Sequence, residues 1–195
     1  MKESDYDQLT KAAGRTLLRV AREALRSEVG NAPFEPPEIP YELERPGGAF
    51  VTLKREEQLR GCIGALENTL PIWQTVEKSA RQAATIDYRF DPVRPEELPQ
   101  IRIEVSVISP LERVPEPRNS SSITIGQDGL CIRYKQHSGV LLPQVAADRA
   151  WSAEEFLEHV CLKADLKPDC WQRPEAELFR FTAVVFDERS IDVEY

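Results

Sequence analysis

A chain of 195 residues that is 41% hydrophobic and 30% charged carries enough apolar side chains for a substantial core, which excludes a disordered polypeptide. Its formal net charge is -8 and its acidic residues are scattered, so the overall field opposes a phosphate-binding surface and direct nucleic-acid binding is not expected. No apolar run approaches the roughly 18 residues of a membrane span, and "MKESDYDQL" lacks the apolar centre of a signal peptide. The expectation is a cytoplasmic protein with no membrane association.

Residues 5–29 place Leu9, Ala13, Leu17, Val20, Ala24 and Leu25 at helical spacing and predict an amphipathic helix with an interior glycine, Gly14. The following segment, 30–48, holds five prolines, which exclude regular structure over most of its length. It reads as a long arm within a single domain spanning 1–195, pinned by Phe34, Ile39 and Tyr41, because the residues before it are too few to fold alone. "AFVTLKR" and "QLRGCIGALE" predict a hairpin turning at "REEQ". A helix follows, with Thr69 as a cap, Pro71 near its first position and a stripe of Ile72, Val76, Ala80 and Ala83 or Ala84, stopping near Asp87.

"IRIEVSVIS" alternates strictly, with Ile101, Ile103, Val105 and Val107 on one face and Arg102, Glu104 and Ser106 on the other, which is expected to meet solvent. Beyond it, "SITI" predicts a strand, Gln127–Gly129 a turn, "LCIRY" a second strand and His137–Gly139 another turn. Ser152 and Glu155 form a capping-box signature for a helix carrying Phe156 and Val160. "AELFRFTAVVFDE" predicts one last strand. Helices and strands do not alternate as βαβ units, so the fold class is α+β, a largely antiparallel sheet packed with helices.

The chemistry concentrates in "LRGCIG", residues 59–64. Glycine weakens a strand interior, so two of them mark a bulge or the close approach of something else. On a regular strand Arg60, Cys62 and Gly64 share one face, where the guanidinium would stabilise a thiolate and Gly64 would leave room for a ligand. A buried cysteine that only fills space is the plainer reading, and a bulge at Gly61 would move Arg60 away from the thiol. If the "IRIEVSV" strand shares the sheet, Glu104 and Ser106 join that face, and Glu104 could pair with Arg60 or move a proton.

Cys131, Cys161 and Cys170 read as packing residues. The four cysteines form no CxxC pair, and with only His137 and His159 there is no zinc-site or iron-sulfur spacing, so no metal or cofactor is expected.

Several separated segments together resemble one family, the AMME chromosomal region (AMMECR) domain family: "FVTLK", "LRGCIG", "DYRFDPV", "EELP", "IEVSVISP", "GVLLPQVA" and "EFLEHVCLKA". The resemblance implies a larger and a smaller lobe, with Arg60, Gly61, Cys62, Ile63 and Gly64 in the signature segment near the cleft between them. It also brings Arg89, Phe90 and Pro92 as a second signature, Glu104 and Ser106 as an "E-x-S" strand, and Pro143 and Gln144 in an "LP-x-VA" element. Ala65 stands where the family often has a hydroxyl residue and Tyr88 where proline is common, so a mechanism needing a hydroxyl at 65 does not carry over. The family resemblance delivers no reaction. It implies the Amme component of an Amme, Memo and radical-SAM gene set, a partner of Memo-type and radical-SAM proteins acting on a small molecule, RNA or protein.

Two functional expectations follow. In the first the chain is an enzyme or enzyme component, with Cys62 as nucleophile or transient covalent carrier, Arg60 binding an anion and depressing the thiol, and Glu104 orienting Arg60 or moving a proton. In the second it is a non-catalytic adaptor in which Gly61, Gly64 and Arg60 shape a recognition groove and Cys62 fills space, with Ile63, Arg89, Phe90, Ser106 and Gln144 as further binding candidates.

Overall fold

The computed structural model describes residues 9–66, 69–115 and 118–191. The chain divides into two units, residues 1–110 with 184–195, and residues 111–183. In the first unit α1 spans Lys11–Gly30, β1 Gly48–Arg55, β2 Gln58–Ala65, α2 Ile72–Thr85 and β3 Ile101–Ile108, and the chain returns at its end as β8, Ala183–Asp187. These strands form a sheet in the order β2-β1-β3-β8. In the second unit β4 (Glu112–Arg113), β5 (Gly129–Tyr134), β6 (His137–Leu141) and β7 (Glu177–Phe181) form a sheet in the order β4-β7-β5-β6, with helices α3 (Pro143–Asp148) and α4 (Ala153–Lys163). The β1–β2, β1–β3, β5–β6 and β5–β7 pairings are antiparallel, as the element order led one to expect for an α+β fold.

Helix α1 begins where the Thr10 side chain accepts the Ala13 N–H at 3.1 Å, and it closes on Asn31 in the left-handed region (φ 52). Positions 5–8 of the expected helix lie outside the described residues. Its apolar stripe packs on α2 and β3, while α2 covers β1 and β2. The resulting core joins Leu17, Leu25, Val51, Leu53, Ile103 and Val105, all fully buried. The proline-rich arm is pinned differently from expectation: Phe34 and Ile39 pack against this core, but Tyr41 is 93% exposed and fully buried Leu43 takes its place. Thr69 does not cap α2 either. Pro71 holds the cap position, and the helix start is tied to the arm by Ile72 N–H donating to Arg45 O (2.9 Å) and the Thr75 hydroxyl donating to Gly47 O (3.0 Å).

In the second unit Phe156, Leu130, Ile132, Val160 and Trp171 form a separate core. The capping box of α4 forms as read, with Glu155 N–H donating to Ser152 Oγ at 3.2 Å and Ser152 N–H to Glu155 Oε2 at 2.8 Å. Ser152→Ala is expected to lower stability by about 1 kcal/mol in chemical denaturation, with no change in the sheet signal.

The expected "SITI" strand does not form. Asp128 Oδ2 accepts the Thr124 N–H (2.7 Å) and Thr124 O accepts the amides of Gln127 and Asp128, so local turns satisfy the backbone that a ladder would have used. The turn expected at His137–Gly139 falls at Lys135 (φ 55), leaving His137 to open β6. The single strand expected over residues 176–188 divides at Thr182 between the two sheets, β7 in one and β8 in the other.

Candidate functional site

The hairpin turns on Glu56 and Glu57, both with positive φ (51 and 65), the two-residue geometry that matches strand twist. From there β1 and β2 run in register Lys54↔Leu59 and then Leu53↔Gly61, so β2 advances two residues while β1 advances one. Arg60 is the extra residue of a bulge. The strict alternation that would put Arg60 and Cys62 side by side is therefore broken, and they serve different surroundings.

Beyond the bulge, residues directly opposite one another share a face of the sheet. Cys62 lies opposite Thr52, and Thr52 lies opposite Glu104, so the three form one cross-strand row. Gly64, Phe50 and Ser106 form the next. Glu104 and Ser106 thus do share a face with Cys62, but that face is not solvated: Thr52, Glu104 and Ser106 are 6%, 8% and 0% exposed. Glu104 is paired with Lys54 at 2.7 Å rather than with Arg60. Ile63 points the other way, opposite Val51 and against the helical core, which gives it a packing role.

The two glycines of the segment answer to packing. A Cβ at Gly61 would lie 2.2 Å from the carbonyl oxygen of Ala83, so the last turn of α2 presses its backbone against β2 there. A Cβ at Gly64 would lie 2.3 Å from the Phe50 ring and 2.4 Å from Ala49 O. The room expected beside Gly64 for a ligand is filled by Phe50.

Strand β2 is an edge strand, so the outward backbone groups of Cys62 need partners from elsewhere. Asp87 and Arg89 supply them. Cys62 N–H donates to Asp87 Oδ2 at 2.8 Å, and Arg89 Nη2 donates to Cys62 O at 3.1 Å. The same two side chains are joined by Arg89 Nε to Asp87 Oδ1 (2.8 Å) and Nη2 to Asp87 Oδ2 (2.6 Å). Burial of Asp87 raises its pKa, but the hydrogen bonds from Arg89 and the amides of Cys62 and Arg89 outweigh it and hold the carboxyl below its ordinary value. The pair replaces the missing neighbouring strand over one residue.

Burial dominates at Cys62 and pushes its thiol up, against a hydrogen bond from Thr52 Oγ1 (3.4 Å) and the charge of Arg89. Arg60 does not depress it. The guanidinium expected to do so instead donates Nε and Nη2 to Glu97 at 2.9 and 3.0 Å, Nη1 to Asp91 O at 2.9 Å and Nη2 to Pro92 O at 3.3 Å. Glu97 also receives Arg55 Nη1 at 2.7 Å and the Arg94 N–H at 2.9 Å. The hydrogen bond from Arg60 is the chief cause, ahead of the opposing effect of burial, and with the Arg94 amide and Arg55 it brings the Glu97 carboxyl down to about 2.

Around this knot opens a cleft of about 630 Å³, lined by Arg55, Arg60, Arg89 and Arg94, with Phe90 and Pro92 as its apolar wall. Arg89 lies 5.5 Å from the Phe90 ring centroid. Of the residues named from sequence, Arg60, Arg89, Phe90 and Pro92 meet in this cleft. Cys62, Glu104 and Ser106 belong to the two sheet rows instead, and Gln144 belongs to α3 in the second unit. Arg55, Asp87, Arg94 and Glu97 had no assigned role. Asp87 and Glu97 stood within the quoted "DYRFDPV" and "EELP" stretches, the one signal that could have pointed to them.

Cys131, Cys161 and Cys170 are buried thiols, Cys161 pushed by burial to about 11. Among the described residues no three His, Cys, Asp or Glu side chains are grouped to hold a metal ion, and no helix is long and apolar enough to cross a membrane.

Fold and site together define an α+β protein with two antiparallel sheets and an arginine-lined cleft built on a bulged edge strand. The AMMECR1 family model matches residues 18–186, and the chain belongs to that family. It is 46% identical over 187 residues to a protein of Thermococcus gammatolerans, with 90% of each chain covered. A protein of Methanothermobacter thermautotrophicus is 43% identical over 188 residues, covering 94% of this chain and 98% of its own. The crystal structure of an uncharacterised protein from Pyrococcus horikoshii is similar at a TM-score of 0.89 and 37% identity, over 95% of this chain and 96% of that one.

Proposed function

We propose that the chain is a non-catalytic binding component of a modification pathway, holding a ligand in the Arg60 cleft for Memo-type and radical-SAM partners. The supporting observation is the division of labour along β2. Arg60 is locked by four hydrogen bonds as the floor of a concave site, whereas Cys62 sits in a sheet row with its thiol raised by burial. A thiol held protonated at neutral pH is a poor nucleophile, and a cleft of this size on a floor fixed by the Arg60–Glu97 knot suits recognition.

The test is the alkylation rate of each cysteine in the native protein, read by mass spectrometry from about pH 5 to 9. Cys62 is expected to react no faster than an ordinary thiol throughout. Cys62→Ala is expected to capture purified Memo-type and radical-SAM proteins of the same source at full strength and to keep pathway activity. Rapid alkylation of Cys62 with a midpoint below that of an ordinary thiol, or full capture with activity lost, would return the site to nucleophilic catalysis.

A further inference from the structure

We propose that the ligand of this cleft is a small molecule bearing a carboxylate or phosphate, and that Arg55 and Arg94 bind its anionic group. This rests on reading the cleft as a binding site, and it shifts anion recognition away from Arg60. Four arginines line the cleft, but two are already committed. The Arg60 guanidinium is held on both edges by Glu97, Asp91 O and Pro92 O, and Arg89 is held by Asp87 and Cys62 O. A ligand that gripped either through two parallel N–H donors would have to break some of those bonds; Arg89 Nη1 is left for a single contact at most.

Arg55 and Arg94 differ. Among the described residues Arg55 gives one N–H to the protein, to Glu97 Oε1 at 2.7 Å, and that same oxygen already accepts Arg60 Nε at 2.9 Å. One carboxylate therefore faces two guanidiniums, leaving one positive charge in excess. The Arg94 side chain has no hydrogen bond or ion pair among the described residues, yet its backbone N–H is fixed on Glu97 Oε2 at 2.9 Å, so its root stands beside the same carboxylate. Arg55 and Arg94 thus line the cleft with guanidinium donors that the protein leaves unused, beside a carboxylate already shared by Arg55 and Arg60, and such planar donors recognise carboxylate and phosphate.

Size and rim charge narrow the class. A volume of about 630 Å³ suits a metabolite-sized molecule. Asp91 and Glu96 are exposed on the same lining, and in a chain of net charge -8 they repel a polyanion, while one compact anionic group can sit between the guanidiniums. Phe90 offers an apolar wall for the rest of the ligand.

Calorimetric titration with inorganic phosphate, benzoate and phenyl phosphate at low ionic strength tests this. Phenyl phosphate is expected to bind more tightly than inorganic phosphate, through Phe90. Arg55→Ala and Arg94→Ala, both surface substitutions whose folding is checked by circular dichroism, should each weaken it about tenfold. Glu96→Gln should strengthen it about twofold by removing rim repulsion. Unchanged affinity in the Arg55→Ala/Arg94→Ala double variant, or no binding of any probe to the parent, overturns the assignment. Parent protein that captures its partner proteins yet binds no probe overturns the anion assignment alone. Probe binding through Arg55 and Arg94 without capture of any partner supports the assignment and overturns the partner reading.

Discussion

Gly61→Ala is expected to lower the stability of the protein by about 3 kcal/mol, read as an earlier midpoint in chemical denaturation. The added methyl would sit 2.2 Å from Ala83 O and 3.1 Å from the Ala83 carbonyl carbon. Both are backbone atoms, so no rotamer change relieves the overlap, and the last turn of α2 must move off β2. That movement also opens the core around Leu53, whose Cδ1 lies 3.6 Å from the same position. The cause can be separated from a general cost of replacing glycine. Gly30 has no atom within 4 Å of its added Cβ, and Gly30→Ala should be neutral or slightly stabilising. Ala83→Gly removes a methyl but keeps the carbonyl, so it should not rescue Gly61→Ala. A double variant that recovers most of the lost stability would show that the glycine serves a side-chain contact, and the account of a backbone approach would fall.

The sequence announced the glycines as a close approach without saying what approaches, because the approaching group is a helix backbone that contributes no pattern of its own. The alternation of "IRIEVSV" correctly aligned Glu104 and Ser106 with Cys62, since a period of two is local. It misjudged the exposure of that face, which depends on packing rather than on alternation. The bulge at Arg60 was weighed from the glycine beside it, but register is decided by the turn and by what packs on the strand. Glu97, the carboxylate that fixes Arg60, stands 37 residues away along the chain, beyond the reach of any spacing rule. Asp87 illustrates the same limit: its pairing with Arg89 is two residues apart and legible, whereas its hold on the Cys62 amide needs the fold. The last apolar run gave no mark of its division at Thr182, because strands of both sheets carry the same alternation.

Glu97→Gln is expected to cost about 3 kcal/mol at neutral pH and to change how the protein responds to acid. Glu97 is 9% exposed and Arg60 has 14% of its side chain exposed, so removing the negative charge leaves a largely buried guanidinium with only the carbonyls of Asp91 and Pro92 and a neutral amide as partners. In the folded protein the Glu97 carboxyl titrates at about 2, below its ordinary 4.5, chiefly through the Arg60 hydrogen bond. A depressed carboxyl stabilises the folded state when it is ionised there, so the contribution is full above pH 4.5 and declines as pH falls through the folded value near 2. Its full size by that displacement is about 3 kcal/mol. The difference in unfolding free energy between parent and variant should therefore be constant from neutral pH to about 5, shrink below 4.5 and nearly vanish by about 2. Taking the difference isolates Glu97 from Asp87, which titrates in both proteins. A difference that persists undiminished to pH 2 would mean that the variant's cost does not come from the lost charge, and the ion-pair knot would lose its place as the anchor of the cleft floor.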